Sequence, residues 1–254
     1  MSPLARRSLV SILLLVAVAT VAAGAGAHGQ RPVLGSDGNM QMTFGADFSP
    51  RPTKAKPARM AFWFSARFFT ADGNSVPNLR RLIVESEAYL DRRLLDVPRC
   101  EPPEPSATEA DWNRCKKAIV GSGSGGSTPR FPEGRPITLE ADMITVYNAG
   151  PIVGGWKLWL RYQQSNVATD SSAVGQLRIK RAGSGPYRLR LVLTLPRALK
   201  ESAYVNYLTV PLYGVFGASC PDRRLAVRAT AIFADGSRPA AETRIPCSPK
   251  RPRR

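Results

Sequence analysis

Proton chemistry near neutrality usually rests on histidine, and this sequence has one, His28. A Ser-His-Asp or Cys-His centre needs a histidine held inside the fold, and His28 stands ahead of the first firm strand. An oxidative copper site built on an N-terminal histidine needs a second histidine. A glycoside-cleaving pair needs only two carboxylates at a set separation. Glu85 with Glu87, and Glu140 with Asp142, are each two residues apart and would share a strand face. The plainer reading makes all four solvent-facing strand residues, and no catalytic residue is assigned. No S-x-x-K stands beside a helix start, which removes a Ser-Lys dyad.

Metal and nucleotide chemistry fare no better. Asp72-Gly73-Asn74 and Asp235-Gly236-Ser237 could suggest calcium, but turn chemistry accounts for both. Zinc would call for a C-x-x-C pair, and the four cysteines, Cys100, Cys115, Cys220 and Cys247, contain none. Gly121 to Ser127 (GSGSGGS) has neither the Lys-Ser/Thr of a phosphate loop nor a helix after it. It reads as a flexible surface loop. Neither a cofactor nor a metal is called for.

Binding chemistry is better supplied. Trp156 to Tyr162 (WKLWLRY) reads as a strand with Trp156, Leu158, Leu160 and Tyr162 on one face and Lys157, Trp159 and Arg161 on the other. An outward Trp159 between two cations is a candidate site for an acidic polymer, with Tyr204, Tyr207 and Tyr213 as a second aromatic group. Core packing is the competing explanation for these aromatics. A nucleic-acid groove also joins cations to aromatics, but the export argued below disfavours it.

The elements that must position these residues begin with a leader. Arg6-Arg7, an apolar run from Leu9 to Val21 and the small-x-small Ala25-Gly26-Ala27 form a secretion signal over 1–27. The arginine pair also permits the twin-arginine route. The run is shorter than the roughly 20 residues of a spanning helix, so no stable membrane span is expected after cleavage; the alternative is an uncleaved signal retained as an anchor. The formal charge of +17 then falls by two to +15, because Arg6 and Arg7 leave and no acid does. Such a field attracts polyanions, although arginines merely solvated on strand faces would give the same total. Residues 249–254 (KRPRR at the end) form a basic tail with no apolar partners.

In an exported chain four cysteines favour two disulfides. Three connectivities exist; local pairing, Cys100–Cys115 and Cys220–Cys247, brackets two compact units and is favoured. Residues 28–58 read as a flexible lead-in with one strand at Met40 to Phe48. The domain proper spans 59–248. Its first firm strand is Met60 to Thr70, with Phe62, Phe64 and Phe68 on one face and Trp63 and Phe69 on the other. Further strands are expected at 79–84, 137–147, 156–162, 175–180, 187–195, 203–210 and 225–233, several of them alternating apolar with polar. One helix is expected from an N-cap at Ser106, with Glu109 closing a capping box, to about Val120. Trp112, Cys115 and Ile119 would be its apolar stripe. This is a mainly β chain, expected to fold as a two-layer antiparallel β-sandwich-like domain with one short disulfide-tied helix.

Cys220-Pro221-Asp222-Arg223-Arg224-Leu225, Phe233-Ala234-Asp235-Gly236-Ser237 and Cys247 resemble the C-terminal part of a family of uncharacterised exported bacterial proteins. Leu79-Arg80-Arg81-Leu82-Ile83-Val84, and Cys115 with Val120-Gly121-Ser122-Gly123, are similar to that family's N-terminal half. Ser124 to Ser127 lengthens the family's glycine segment. The resemblance covers the chain from about residue 58 onward. It implies export and paired cysteines, and it transfers no site.

The expectation is a secreted or envelope-associated, non-catalytic binding protein meeting an anionic surface polymer around Lys157, Trp159 and Arg161. The alternatives are a carboxylate-dependent glycan hydrolase and a structural surface or adhesion module. The sequence leaves the oligomeric state open.

Overall fold

A computed structural model describes residues 31–53, 58–90, 96–101, 109–129, 139–163, 172–182, 185–195, 203–220 and 223–248. The secretion signal expected at 1–27, the helix cap expected at Ser106 and the basic tail expected at 249–254 lie outside these residues, as do the side chains of Glu140 and Asp142.

The strands are β1 (Val33–Asp37), β2 (Met40–Ser49), β3 (Ala58–Thr70), β4 (Leu79–Ser86), β5 (Tyr89–Leu90), β6 (Ile119–Pro129) and β7 (Leu139–Ile152). They continue as β8 (Gly155–Gln163), β9 (Ser172–Arg181), β10 (Leu189–Thr194), β11 (Ala203–Ala218), β12 (Arg224–Phe233) and β13 (Ala240–Pro246). One short helix, α1 (Glu109–Arg114), precedes a 3-10 turn at Lys116–Ala118.

All thirteen strands belong to one antiparallel sheet, in the order β1-β2-β3-β11-β6-β7-β8-β9-β10-β4-β12-β13, with the short β5 beside β11. Two separate layers were expected. One continuous ladder curls until its ends meet, giving a nearly closed, barrel-like sheet. At the seam, a Cβ on Gly35 of β1 would lie 2.0 Å from the Ala240 carbonyl oxygen of β13, so only glycine admits that approach. The Cys220–Cys247 disulfide joins the ends of β11 and β13. Between them runs Thr53, which accepts from the Cys220 N–H and bridges to Ser248.

Period-two alternation builds the interior. Met42, Phe44 and Phe48 of β2, Phe62, Phe64 and Phe68 of β3, and Leu189, Leu191 and Leu193 of β10 are all buried. Rings from distant strands meet inside: Phe68 packs edge-on against Phe233 of β12 with centroids 5.5 Å apart. An apolar gap of about 20 Å³, between Ile144, Leu160, Tyr162, Leu193, Val205 and Leu208, has space on the order of one water.

Three expectations change. Val33 to Ser49 is no lead-in, because β1 and β2 are sheet strands whose apolar residues enter the core. The helix ends at Arg114 and not near Val120, and Ile119, expected on its buried stripe, begins β6 and is 41% exposed. The glycine-serine run is not a loop but the body of β6. Cβ atoms at Gly121 and Gly123 would sit 2.1 and 2.0 Å from the Pro211 and Thr209 carbonyl oxygens. The missing side chains let β6 press against β11 more closely than other residues allow.

Candidate binding surface on the outer sheet face

The β8 residues divide between faces as the alternation requires. Trp156 points inward and donates from Nε1 to Asn148 Oδ1 at 2.6 Å, while Lys157, Trp159 and Arg161 take the outer face. That face is roofed. The Cys100–Cys115 disulfide, found as expected, ties α1 back to the chain before it. Asn148 holds the preceding segment by donating to the Val97 carbonyl at 2.8 Å and accepting, through its own carbonyl, from the Cys100 N–H.

Trp112 of α1 packs on Tyr147 with ring centroids 4.9 Å apart. With Cys100, Ala118 and Trp159 these rings form a second small core on the outside of the barrel. Trp159 is therefore 8% exposed and Arg161 4%. The Arg161 guanidinium lies 5.0 Å from the Trp112 centroid and donates to Glu109 Oε2 at 2.5 Å. Arg161 holds the Glu109 carboxyl below its ordinary value. Lys157 Nζ rests 3.6 Å over the Trp159 ring, and burial with the nearby Arg178 lowers its pKa. Trp159 takes the outer face but is not exposed there, because α1 packs over it. Of the expected trio, Lys157 alone is half-buried, the other two being buried.

Beyond Lys157 the outer face becomes cationic. Lys157 stands opposite Arg178 of β9. One residue row nearer the β7–β8 turn, Gly155, Lys180, Arg190, Glu85, Arg228 and Glu242 are successive lateral neighbours across six strands. Glu85 is 5% exposed and takes both arginines, from Arg190 Nη2 at 2.8 Å and from Arg228 Nε at 3.1 Å. Burial pushes its carboxyl up, and the hydrogen bonds and charges of Arg228 and Arg190 outweigh that, holding the pKa below the ordinary value. The arginine side chains remain 42% and 45% exposed. Tyr187 donates to Glu242 Oε2 at 2.7 Å beneath the Arg228 guanidinium. Burial and the Glu242 bond push its phenol up to about 12.

The remaining candidates are placed elsewhere. Glu87 Oε2 accepts the Ala226 N–H at 3.1 Å, so both described carboxylates of the expected pairs serve the sheet. A general acid needs its pKa raised toward the working pH, opposite to what Arg190 and Arg228 impose on Glu85. The Tyr207 ring lies over Gly126, with Arg67 5.8 Å from its centroid, whereas Tyr213 is 51% exposed within the register shift in β11. Asp72 and Asp235 accept from the Asn74 and Ser237 N–H groups, the turn role expected of them. Among the described residues no cluster of metal-ligating side chains occurs, and no helix is long and apolar enough to cross a membrane.

The Glu85–Arg190–Arg228 cluster was not anticipated. Its only sequence trace is the alternation that puts Arg190 and Arg228 opposite their strands' apolar faces. Comparison with family models, with curated proteins and with solved structures found no match.

Proposed function

We propose that this protein is a non-catalytic binding module that meets an anionic envelope component through the outer face of β8, β9, β10, β4 and β12. The observation that carries the reading is the use of Glu85. One buried carboxylate pairs with both Arg190 and Arg228 and fixes their direction, while both side chains stay partly exposed. Exposed Arg178 and Lys180 adjoin them, and the residues opposite them on β8 and β10 include no carboxylate. Fixed arginine forks suit phosphate, sulfate or carboxylate groups. We place the action outside the cytoplasm, supported by the leader-like N-terminus and the two disulfides.

Salt-titrated retention on a sulfated polysaccharide matrix tests the reading. Binding at low salt should fall steeply through physiological ionic strength, and Arg178→Glu with Lys180→Glu should move elution to markedly lower salt. Elution unchanged by that pair would reject this face as the site.

A further inference from the structure

The basic face ends at an apolar point. Ile152 of β7 pairs with Gly155 of β8, so Val153 and Gly154 are the whole turn. Gly154 has φ 73°, the left-handed geometry required at the third position of a type II turn. That geometry explains the glycine and asks nothing apolar of the position before it. Yet Val153 is 99% exposed, the most exposed of the large apolar side chains described, and exposed Pro151 and half-buried Ile152 lead into it. A Cβ on Gly154 would meet nothing within 4 Å, so the tip stands clear of the other described residues.

Cations collar this tip from both sides. Lys180 faces Gly155, and Arg178 faces Lys157 one row behind. On the other side Arg99 lies along Gly150 of β7, its Cδ 2.9 Å from where a Cβ would be. Arg99, Arg178 and Lys180 are exposed. A soluble polyanion can use the cations and gains nothing from Val153. An anionic bilayer uses both, since its headgroups attract the collar and its acyl boundary takes the apolar tip.

We infer that the anionic component met by this face is a lipid surface, with Val153 and Ile152 entering the headgroup–acyl boundary and Arg99, Lys157, Arg178 and Lys180 against lipid phosphates. The inference rests on the binding role proposed above and names its partner. It also explains an apolar residue at the tip of a two-residue turn.

Co-sedimentation of the oxidised full chain with phosphatidylcholine–phosphatidylglycerol vesicles, against phosphatidylcholine alone, tests it. Binding should require the anionic lipid. Val153→Asp should lower partitioning by about tenfold or more, since it removes an apolar group and adds a like charge to the lipid. Val153→Leu should restore it. Because the Val153 side chain is 99% exposed, neither change should alter folding, checked by circular dichroism. Retention on the sulfated polysaccharide should survive Val153→Asp. Equal vesicle binding by Val153→Asp and the natural chain would overturn the inference, and so would polysaccharide retention without vesicle binding, with the basic face then standing as a polymer site. Failure on both surfaces would overturn the inference together with the binding role beneath it.

Discussion

Arg161 of β8 is joined to Glu109 of α1 across the barrel's outer surface, a guanidinium 5% exposed meeting a carboxylate 53% exposed. The pair links the roof to the barrel close to the disulfide. Its two members are unequal. The arginine cannot recover water if its partner is lost, whereas the carboxylate nearly can.

Replacing Glu109 by Gln should therefore cost more than a surface ion pair, about 1–2 kcal/mol, because a buried cation keeps only a neutral acceptor. Urea unfolding should show it as a lower midpoint at unchanged slope. Acrylamide should reach Trp112 and Trp159 more readily. An unchanged midpoint and unchanged quenching would mean that the disulfide alone holds the roof.

Glu85 should make stability acid-sensitive. Its carboxyl is held below the ordinary value in the fold, so its contribution is complete above the unfolded-state pKa and is lost as pH falls through the folded-state pKa. Glu85→Gln should flatten that acid limb and cost about 2 kcal/mol at neutral pH, less than a fully buried pair because both arginines stay half in water. Denaturant midpoints measured across the acid range would decide, and parallel limbs for the two chains would exclude Glu85 as their source.

Tyr187 governs the opposite end of the pH scale. With its phenol raised to about 12 by burial and by the bond to Glu242, its share of stability is full below the ordinary tyrosine pKa and declines as pH rises toward the folded value. Ultraviolet titration should show late-ionising tyrosine absorbance, because burial raises Tyr147 as well. Tyr187→Phe should shrink that late step by one tyrosine, and an undiminished step would assign it wholly to other tyrosines.

Gly123 tests whether the glycine-serine run is a strand. Gly123→Ala would place a carbon 2.0 Å from the Thr209 carbonyl, forcing β6 away from β11 at a cost of at least about 3 kcal/mol. Ser122→Ala, at an exposed position of the same strand, should cost less than about 0.5 kcal/mol. Similar thermal midpoints for the two variants would return the segment to a surface loop.

The turn at Val153 is legible in hindsight, because Val-Gly between two strands is a turn; its apolar exposure is not, since nothing local says whether another element will cover it. The same limit misjudged Trp159. Alternation within WKLWLRY assigns it to the outer face, and that assignment holds. Only the placement of α1, tied by Cys100–Cys115, buries it. The glycine run was misread for a related reason: glycine signals both flexibility and close approach, and the choice depends on which backbone lies alongside.

What the sequence determined by itself is local. It contained the alternation that sends Phe62, Phe64, Leu189 and Leu191 inward, the turns at Asp72 and Asp235, a cysteine spacing that favours local pairs among three connectivities, and the excess of arginine. These follow from a two-residue side-chain period, from hydrogen bonds a few residues long and from loops of 15 and 27 residues. The tertiary structure alone decided lateral neighbours. Glu85 meets Arg190 from 105 residues away and Arg228 from 143, because β4 is inserted between β10 and β12. Strand order is fixed by summed core packing and loop closure over the whole chain. No local pattern carries that information, and so the basic face became visible only once the sheet had closed.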